Sequence, residues 1–397
     1  MKHVILVGGP RFAHRKIKTL GHEMTFIQSP EEFRAGDEKI GVRLFVMDAC
    51  NKDLLGELLV GLNNYKHIDG IICFKEFEQE AVQHASSLLN LPRTTLKAID
   101  YTRNKDKMRQ LLNNNNLSHV NSEVVSEMDD IYKFIDKYGY PVIIKPKDDT
   151  GSRNILALFT KEDIAKAADR VKEFKGSFLI EEYLDGPEIS VESFTLNGKH
   201  EVLTLTDKLT TGYPNYIEVG HTMPSALPNE TQLEVKELVK KFLSLIDHTF
   251  GPSHIEIKIT KNGPKIVEAH VRPGGDCIVD LMELAYGYDL YMIYAKAVLK
   301  ELDDTEIKET IDGKGAAAIR YFIAQPGKLV STSGLDEIEK MPGWFRTFNP
   351  YVDGMEITPF ENSFTRQGWV MVYGKDNEEV NARAEAILKK VKINTTK

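Results

Sequence analysis

A chain of 397 residues exceeds what one hydrophobic core organises, so two or three packed units are expected. With 42% apolar and 28% charged residues it has the make-up of an ordinary soluble globular enzyme. Its net charge of −8 excludes a general nucleic-acid or anionic-membrane surface, yet leaves room for a local basic pocket that takes a phosphorylated ligand. Three scattered cysteines (Cys50, Cys73, Cys277) form neither a zinc pattern nor a disulfide framework, which suits a reducing compartment. The run Val4–Val7 is too short for a signal-peptide core, and no stretch approaches the roughly 20 apolar residues that span a bilayer. A cytoplasmic protein that does not engage membranes is the expectation.

Residues 1–95 read as a small α/β unit. Val4–Val7, Met24–Ile27, Leu44–Met47 and Gly70–Phe74 are short continuous apolar runs, the pattern of parallel strands buried on both faces. A helix is expected over Glu76–Leu89, ending before Leu91-Pro92. Gly8-Gly9-Pro10 lacks the spacing of a dinucleotide fingerprint, and its proline removes an amide donor. It reads as a strand-to-helix turn or as a ligand-facing loop.

A Lys/Arg-rich helix over Arg103–Leu112 follows, then the turn Asn113–Asn116 and strand–helix–strand material. Tyr140-Pro-Val-Ile-Ile-Lys145-Pro146 is an apolar strand ending in a lysine, and the polar loop Asp148–Asn154, with Gly151 and Ser152, comes next. A point charge beside free amides suits a polyphosphate, although a strand-end lysine also commonly points into solvent. Phe178-Leu-Ile-Glu181-Glu182-Tyr183-Leu184 is a second strand whose apolar half is capped by acids. Its backbone could read an adenine edge and Glu188 could accept ribose hydroxyls, or the strand simply leaves the core there.

Helices are expected over Glu230–Ile246 and from Asp276 to Leu299, with the charged stretch Glu301–Lys314 as a linker. Ala316–Lys397 mixes strands with a closing helix, Glu378–Val391, and no internal repeat appears.

Between those two helices lies a hairpin. His254-Ile-Glu-Ile-Lys-Ile-Thr and Ile266-Val-Glu-Ala-His-Val alternate around the turn Lys261-Asn-Gly-Pro264. A two-residue Asn262-Gly263 loop sets Ile257 against Glu268 and mixes polar with apolar side chains. A three-residue loop gathers Ile255, Ile257, Ile259, Val267, Ala269 and Val271 on one face, with Glu256, Lys258, Glu268 and His270 on the other. A one-residue slip flips a whole face, so the second register is preferred. It places Glu256 opposite Glu268, where like charges about 5 Å apart destabilise a sheet. A Mg²⁺ ion bridging substrate phosphates would relieve the repulsion, and so would Lys258. Arg272-Pro273-Gly274-Gly275-Asp276 follows, offering an arginine and exposed amides at a helix start to an anion.

In this order the features resemble the ATP-grasp superfamily over about residues 100–300. Gly220-His221 with Pro224, Glu268-Ala-His-Val-Arg-Pro-Gly-Gly-Asp276, Ala316–Arg320, Pro326-Gly327 and Arg366-Gln-Gly368 look like the L-amino acid ligases, which make dipeptides, and the related carnosine-synthase-type ligases. The resemblance implies an α/β (α+β overall) ATP-grasp fold. Its parts would be an N-terminal parallel-sheet domain (1–97), a small lobe (98–177), a large lobe with the metal site (178–305) and a C-terminal α+β cap (306–397). It implies that Lys105 and Lys145 contact ATP phosphates under the Gly151-Ser152 loop, that Glu181, Glu182, Tyr183 and Leu184 form the adenine hinge, and that Glu188 holds ribose. Glu256 and Glu268 would hold two Mg²⁺ ions, with Mn²⁺ also compatible. Arg272, Gly274 and Gly275 would stabilise the transferring phosphoryl group, and His221 and Arg320 would contact substrate. His270 departs from the pattern, which usually has asparagine there, and imidazole is a poorer Mg²⁺ ligand than an amide oxygen.

The implied reaction joins two amino acids through an acyl phosphate, releasing ADP and phosphate; positioning and charge neutralisation carry such chemistry. The other readings are a different acceptor, such as a carrier-protein thiol or a non-amino-acid amine, and a non-catalytic nucleotide-binding module. Small molecules rather than nucleic acids or membranes are the expected partners, and an apolar face on the N-terminal unit would suit a homodimer.

Overall fold

The computed structural model describes residues 1–148, 151, 153–165, 168, 176–303, 306–307 and 313–396. Ser152 and much of the expected linker Glu301–Lys314 lie outside the described residues. No helix among the described residues is long and apolar enough to cross a membrane.

The first apolar runs form β1 (His3–Val7), β2 (Glu23–Gln28), β3 (Arg43–Val46) and β4 (Gly70–Cys73), all parallel, in the order β3-β2-β1-β4. Alternate residues of β1 serve two cores, which is why its sequence shows no polar alternation. Ile5 and Val7 pack on α2 (Lys52–Tyr65) and α3 (Gln79–Leu88). Val4 and Leu6 join α1 (Arg11–Lys18) in a core that also takes Phe194, Ile278, Leu290, Ala317 and Met371. That core therefore ties the N-terminal sheet to the rest of the chain. α3 begins at Gln79, not at the expected Glu76, so Glu76 leaves β4 on a loop.

A helix with no counterpart in the sequence reading, α4 (Leu96–Arg103), precedes the one expected over Arg103–Leu112, which is α5 (Lys105–Asn114); Asn104, whose backbone is extended, separates them. Ala98, Ile99, Met108 and Leu112 pack against the large sheet with Val191, Ile255 and Ile266. By packing, the segment 96–114 thus joins the large lobe, although the sequence-based division placed residues 98–177 in the small one. The small lobe itself is β5 (Ser122–Val125), α6 (Met128–Tyr138), β6 (Val142–Pro146), β7 (Leu156–Leu158) and β8 (Phe178–Glu182), with antiparallel order β5-β8-β6-β7.

The remaining strands are β9 (Glu188–Leu196), β10 (Lys199–Thr210), β11 (Glu218–Met223), β12 (Gly251–Thr260), β13 (Gly263–His270), β14 (Ala316–Tyr321), β15 (Gly327–Ser333), β16 (Trp344–Phe348), β17 (Glu356–Ile357), β18 (Trp369–Gly374) and β19 (Lys392–Thr395). An eight-stranded antiparallel sheet runs β13-β12-β9-β10-β11-β14-β18-β16, so it crosses the expected boundary at residue 306. β15, β17 and β19 make a separate three-stranded sheet. α7 (Asn229–Leu245) covers the large sheet through Val235, Val239 and Phe242. The single helix expected from Asp276 to Leu299 is two, α8 (Ile278–Tyr286) and α9 (Leu290–Val298); Gly287, in the left-handed region at φ 75°, ends the first, and the Asp289 side chain caps the second.

In the β12–β13 hairpin Glu256 pairs with Glu268 and His254 with His270. Nearer the turn the register shifts: Ile257 pairs with Ile266 and Thr260 with Gly263. A bulge at Val267 takes up the extra residue. The connection is therefore Lys261-Asn262, neither of the loops weighed from sequence. Ile266 is fully buried in the core, and Val267 lines the cleft instead.

Candidate active site

The small lobe, the hairpin and the C-terminal segment enclose a cleft with a cavity of about 310 Å³. That volume is in the range of small-molecule sites. Strand alternation points Glu188, Lys208, Glu218, His254, Glu256 and Glu268 from the large sheet into it, while β6 and β8 supply Lys145 and Glu181.

Each carboxylate here has a cation. Lys105 Nζ lies 2.9 Å from Glu268, and Lys208 Nζ lies 2.8 Å from Glu256, 2.5 Å from Glu188 and 3.4 Å from Glu218. Lys258, the sequence candidate for neutralising the opposed pair, instead reaches Glu188 at 3.3 Å and the Gly186 carbonyl at 3.2 Å. Burial would push Glu256 and Glu268 up, but Lys208 holds the first well below the carboxylate range and Lys105 lowers the second. Two ionised carboxylates face one another across the strands, with lysines as exchangeable counter-ions. Those are the residues a divalent cation carrying phosphates requires.

Lys145 bonds Glu181 at 2.6 Å, and the fully buried Arg109 reaches the same carboxylate at 2.5 Å. Burial alone would raise Glu181, but Arg109 and Lys145 bring it down to about 2. Glu181 thus lines the cleft as an anchor for Lys145. Glu182 turns away from the cleft, accepting from the Asn121 backbone at 3.0 Å and side chain at 3.2 Å. Tyr183, Leu184 and Gly151 line the cleft.

Arg272 and His270 are both held by Glu76 of the N-terminal unit, Arg272 through Nε at 2.7 Å and His270 through Nδ1 at 2.8 Å. Burial would raise Glu76, but His270 and Arg272 bring it to about 2. Across the hairpin His254 Nδ1 meets Glu192 at 2.5 Å, and the Gly274 amide donates to the other Glu192 oxygen at 3.2 Å. Burial would lower His254, but Glu192 raises it to about 9, so this ring is an imidazolium. Gly275 borders the cleft, whereas the Gly274 amide is committed to Glu192.

His221 Nε2 lies 3.1 Å from Asp276, whose carboxylate takes both terminal nitrogens of Arg366 at 2.6 Å. The Ser363 amide donates to the Gly151 carbonyl at 3.1 Å, so the C-terminal segment touches the glycine loop. Arg320, expected at the substrate, does not line the cleft. Its guanidinium donates to the His221 and Ile319 carbonyls, Thr222 and Asn381. Glu76, Arg109, Glu192, Lys208, Glu218 and His254 were not singled out from sequence. Polar residues alternating along Glu188-Ile-Ser-Val-Glu192 and Thr204-Leu-Thr-Asp-Lys208 were the available signal for Glu192 and Lys208.

Residues 138–280 match the ATP-grasp domain family, and residues 320–396 match L-amino acid ligase C-terminal domain 2. Alanine–anticapsin ligase of Bacillus subtilis strain 168 is 24% identical over 247 residues, covering 56% of this chain and 52% of that protein. An uncharacterised protein, y4rH, of Sinorhizobium fredii is 22% identical over 305 residues, covering 75% of this chain and 62% of that one. The chain thus spans about half to three-fifths of the length of these relatives. The structure of L-amino acid ligase from Bacillus licheniformis superposes with a TM-score of 0.87 at 21% identity, over 100% of this chain and 99% of that one. Phosphoribosylglycinamide synthetase from Anaerococcus prevotii gives 0.77 at 18% identity, over 100% of both chains. The fold is thus shared along the length of the chain, which carries an ATP-grasp domain over residues 138–280 and, after it, L-amino acid ligase C-terminal domain 2 over residues 320–396.

Proposed function

We propose that this protein is an ATP-dependent ligase that joins the carboxylate of one amino acid to the amine of another through an acyl phosphate. The observation that carries the reading is the opposed pair Glu256 and Glu268, each neutralised by a lysine placed to move onto a phosphate. Lys105, Lys145 and Lys208 would grip the phosphates of ATP, with Tyr183 and Leu184 beside the base. Mg²⁺ held by Glu256 and Glu268 would neutralise charge on the phosphates. Arg272 faces the same space and would take the charge that develops on the transferred group. The substrate carboxylate attacks the γ-phosphorus and ADP leaves; the second amine then attacks the acyl carbon and phosphate leaves. The part of the cleft near His221, Asp276 and Arg366 would seat the amino acids.

Release of ADP and phosphate is measured over pairs of the common amino acids, with hydroxylamine added to trap the acyl phosphate. The expected result is release that requires a specific pair, hydroxamate formation from one of its members, and loss of both in Glu268→Gln. Turnover in Glu268→Gln at the wild-type rate overturns the assignment of the metal ligands. Nucleotide hydrolysis indifferent to every amino acid overturns the reaction.

A further inference from the structure

We propose that His270 supplies a nitrogen ligand to the metal position beside Glu268, held in orientation by Glu76, and that this position therefore prefers Mn²⁺ to Mg²⁺. The inference deepens the ATP-site reading and rests on it.

Two observations converge. His270 Nδ1 lies 2.8 Å from Glu76, so in the neutral ring that nitrogen carries the proton and donates it. The lone pair then belongs to Nε2, which lies 3.4 Å from Glu268 Oε1 on the cleft side. A carboxylate on one imidazole nitrogen and a metal on the other is the arrangement that fixes tautomer and ring direction at histidine metal sites. Imidazole suits transition ions, whereas Mg²⁺ prefers oxygen. No three side chains among the described residues close into a metal cage, so the ion would complete its shell with nucleotide phosphates.

His254 occupies the mirror position, and the two rings stack with centroids 5.9 Å apart. Its carboxylate differs in company. Glu76 has Arg272 as a second counter-charge 2.7 Å away. Glu192 takes a backbone amide and the Ser190 hydroxyl besides His254. With Nδ1 engaged by Glu76, His270 Nε2 is left facing Glu268 and the cleft, where it can accept a metal. Glu76 is a positioning residue: it comes from the N-terminal unit and reaches the metal position through His270.

Mn²⁺ is titrated into the full-length protein with ADP, in competition with Mg²⁺, and the frozen complex is read by electron spin-echo spectroscopy. In wild type, Mn²⁺ binds at least about tenfold more tightly than Mg²⁺ and its echo carries a histidine-nitrogen modulation. His270→Asn abolishes the modulation and lowers the preference by about tenfold. Glu76→Gln keeps metal-free ADP binding and weakens Mn²⁺ by about 10–100-fold. A wild-type Mn²⁺ spectrum without nitrogen coupling, or coupling that survives in His270→Asn, overturns the metal proposal alone. No ADP binding to the wild-type protein in the presence of either metal overturns the ATP-site reading and the proposal with it.

Discussion

Replacing Lys208 with methionine tests the electrostatics of the cleft directly. The lysine side chain is 2% exposed, and its ammonium lies within 3.4 Å of Glu188, Glu218 and Glu256. Burial would lower a lysine, yet these carboxylates hold it well above its ordinary value. Methionine fills the space and leaves the acids facing each other. Removing one partner of a buried pair costs about 3–5 kcal/mol. At about 2–4 °C per kcal/mol for a cooperative unit of some 200 residues, the thermal midpoint should fall by roughly 10 °C near neutral pH. The pH dependence has a fixed sign. In wild type Glu256 is depressed below its unfolded value, so its contribution is complete above the ordinary glutamate range and falls away only below it. In the variant burial and the facing acids act against His254, the counter-charge that remains on Glu256, and raise the folded value above the unfolded one, so the penalty is full at neutral pH and eases as pH falls. Differential scanning fluorimetry near pH 7.5 and near pH 5.5 should show the gap between the two proteins narrowing at the lower pH. A gap of the same size at both, or one under about 2 °C, would refute the account.

Gly274→Ala places a Cβ 2.8 Å from His254 Nδ1 and 3.0 Å from both Glu192 oxygens. Urea unfolding should show a loss of about 1–3 kcal/mol, and steady-state kinetics a fall in kcat larger than any rise in KM for ATP. Arg320→Ala removes bonds to Thr222, Asn381 and two carbonyls, so the midpoint should drop while KM for ATP and for the amino acids stays within about twofold. A large rise in an amino-acid KM would return Arg320 to the substrate. Glu76 and Glu181 are each held at about 2, against an ordinary glutamate value near 4.3. Each contributes on the order of 3 kcal/mol that is present above the unfolded value and lost as pH falls toward 2. Arg109→Leu should therefore move the acid-unfolding midpoint, followed by circular dichroism, to higher pH.

The parallel sheet, the opposed glutamates and the strand-end lysine were legible because each is written in local periodicity or in a short motif. The bulge at Val267 was not, since Ile266 and Val267 are equally apolar and packing beneath the hairpin chooses between them. The helix α4 was less legible; its local signal is the Thr95 cap, whose side chain accepts from the Ala98 amide. Glu76 was read as a helix residue, and its partners lie almost 200 positions away at His270 and Arg272. Lys208 and Glu192 sit mid-strand, where alternation marks a polar face without telling solvent from a buried cleft. Arg320 shows the converse error: its neighbours fit the family pattern, but its guanidinium is spent on β11 and α10 (Asn377–Lys390).

The pairing of the cleft carboxylates with lysine, arginine or histidine, Lys208 alone serving Glu188, Glu218 and Glu256, makes the resting protein resemble a loaded ion-exchange resin. A metal–nucleotide complex entering it displaces bound counter-ions: the metal takes the glutamates and the phosphates take the freed ammonium groups. The number of unmatched charges hardly changes, so the protein need neither bury a naked charge while waiting nor rebuild the cleft on loading. Long-range attraction then contributes little to capture, and the association rate for ATP should depend only weakly on ionic strength. Discrimination would come from how well an incoming ion and its phosphates replace the contacts already there.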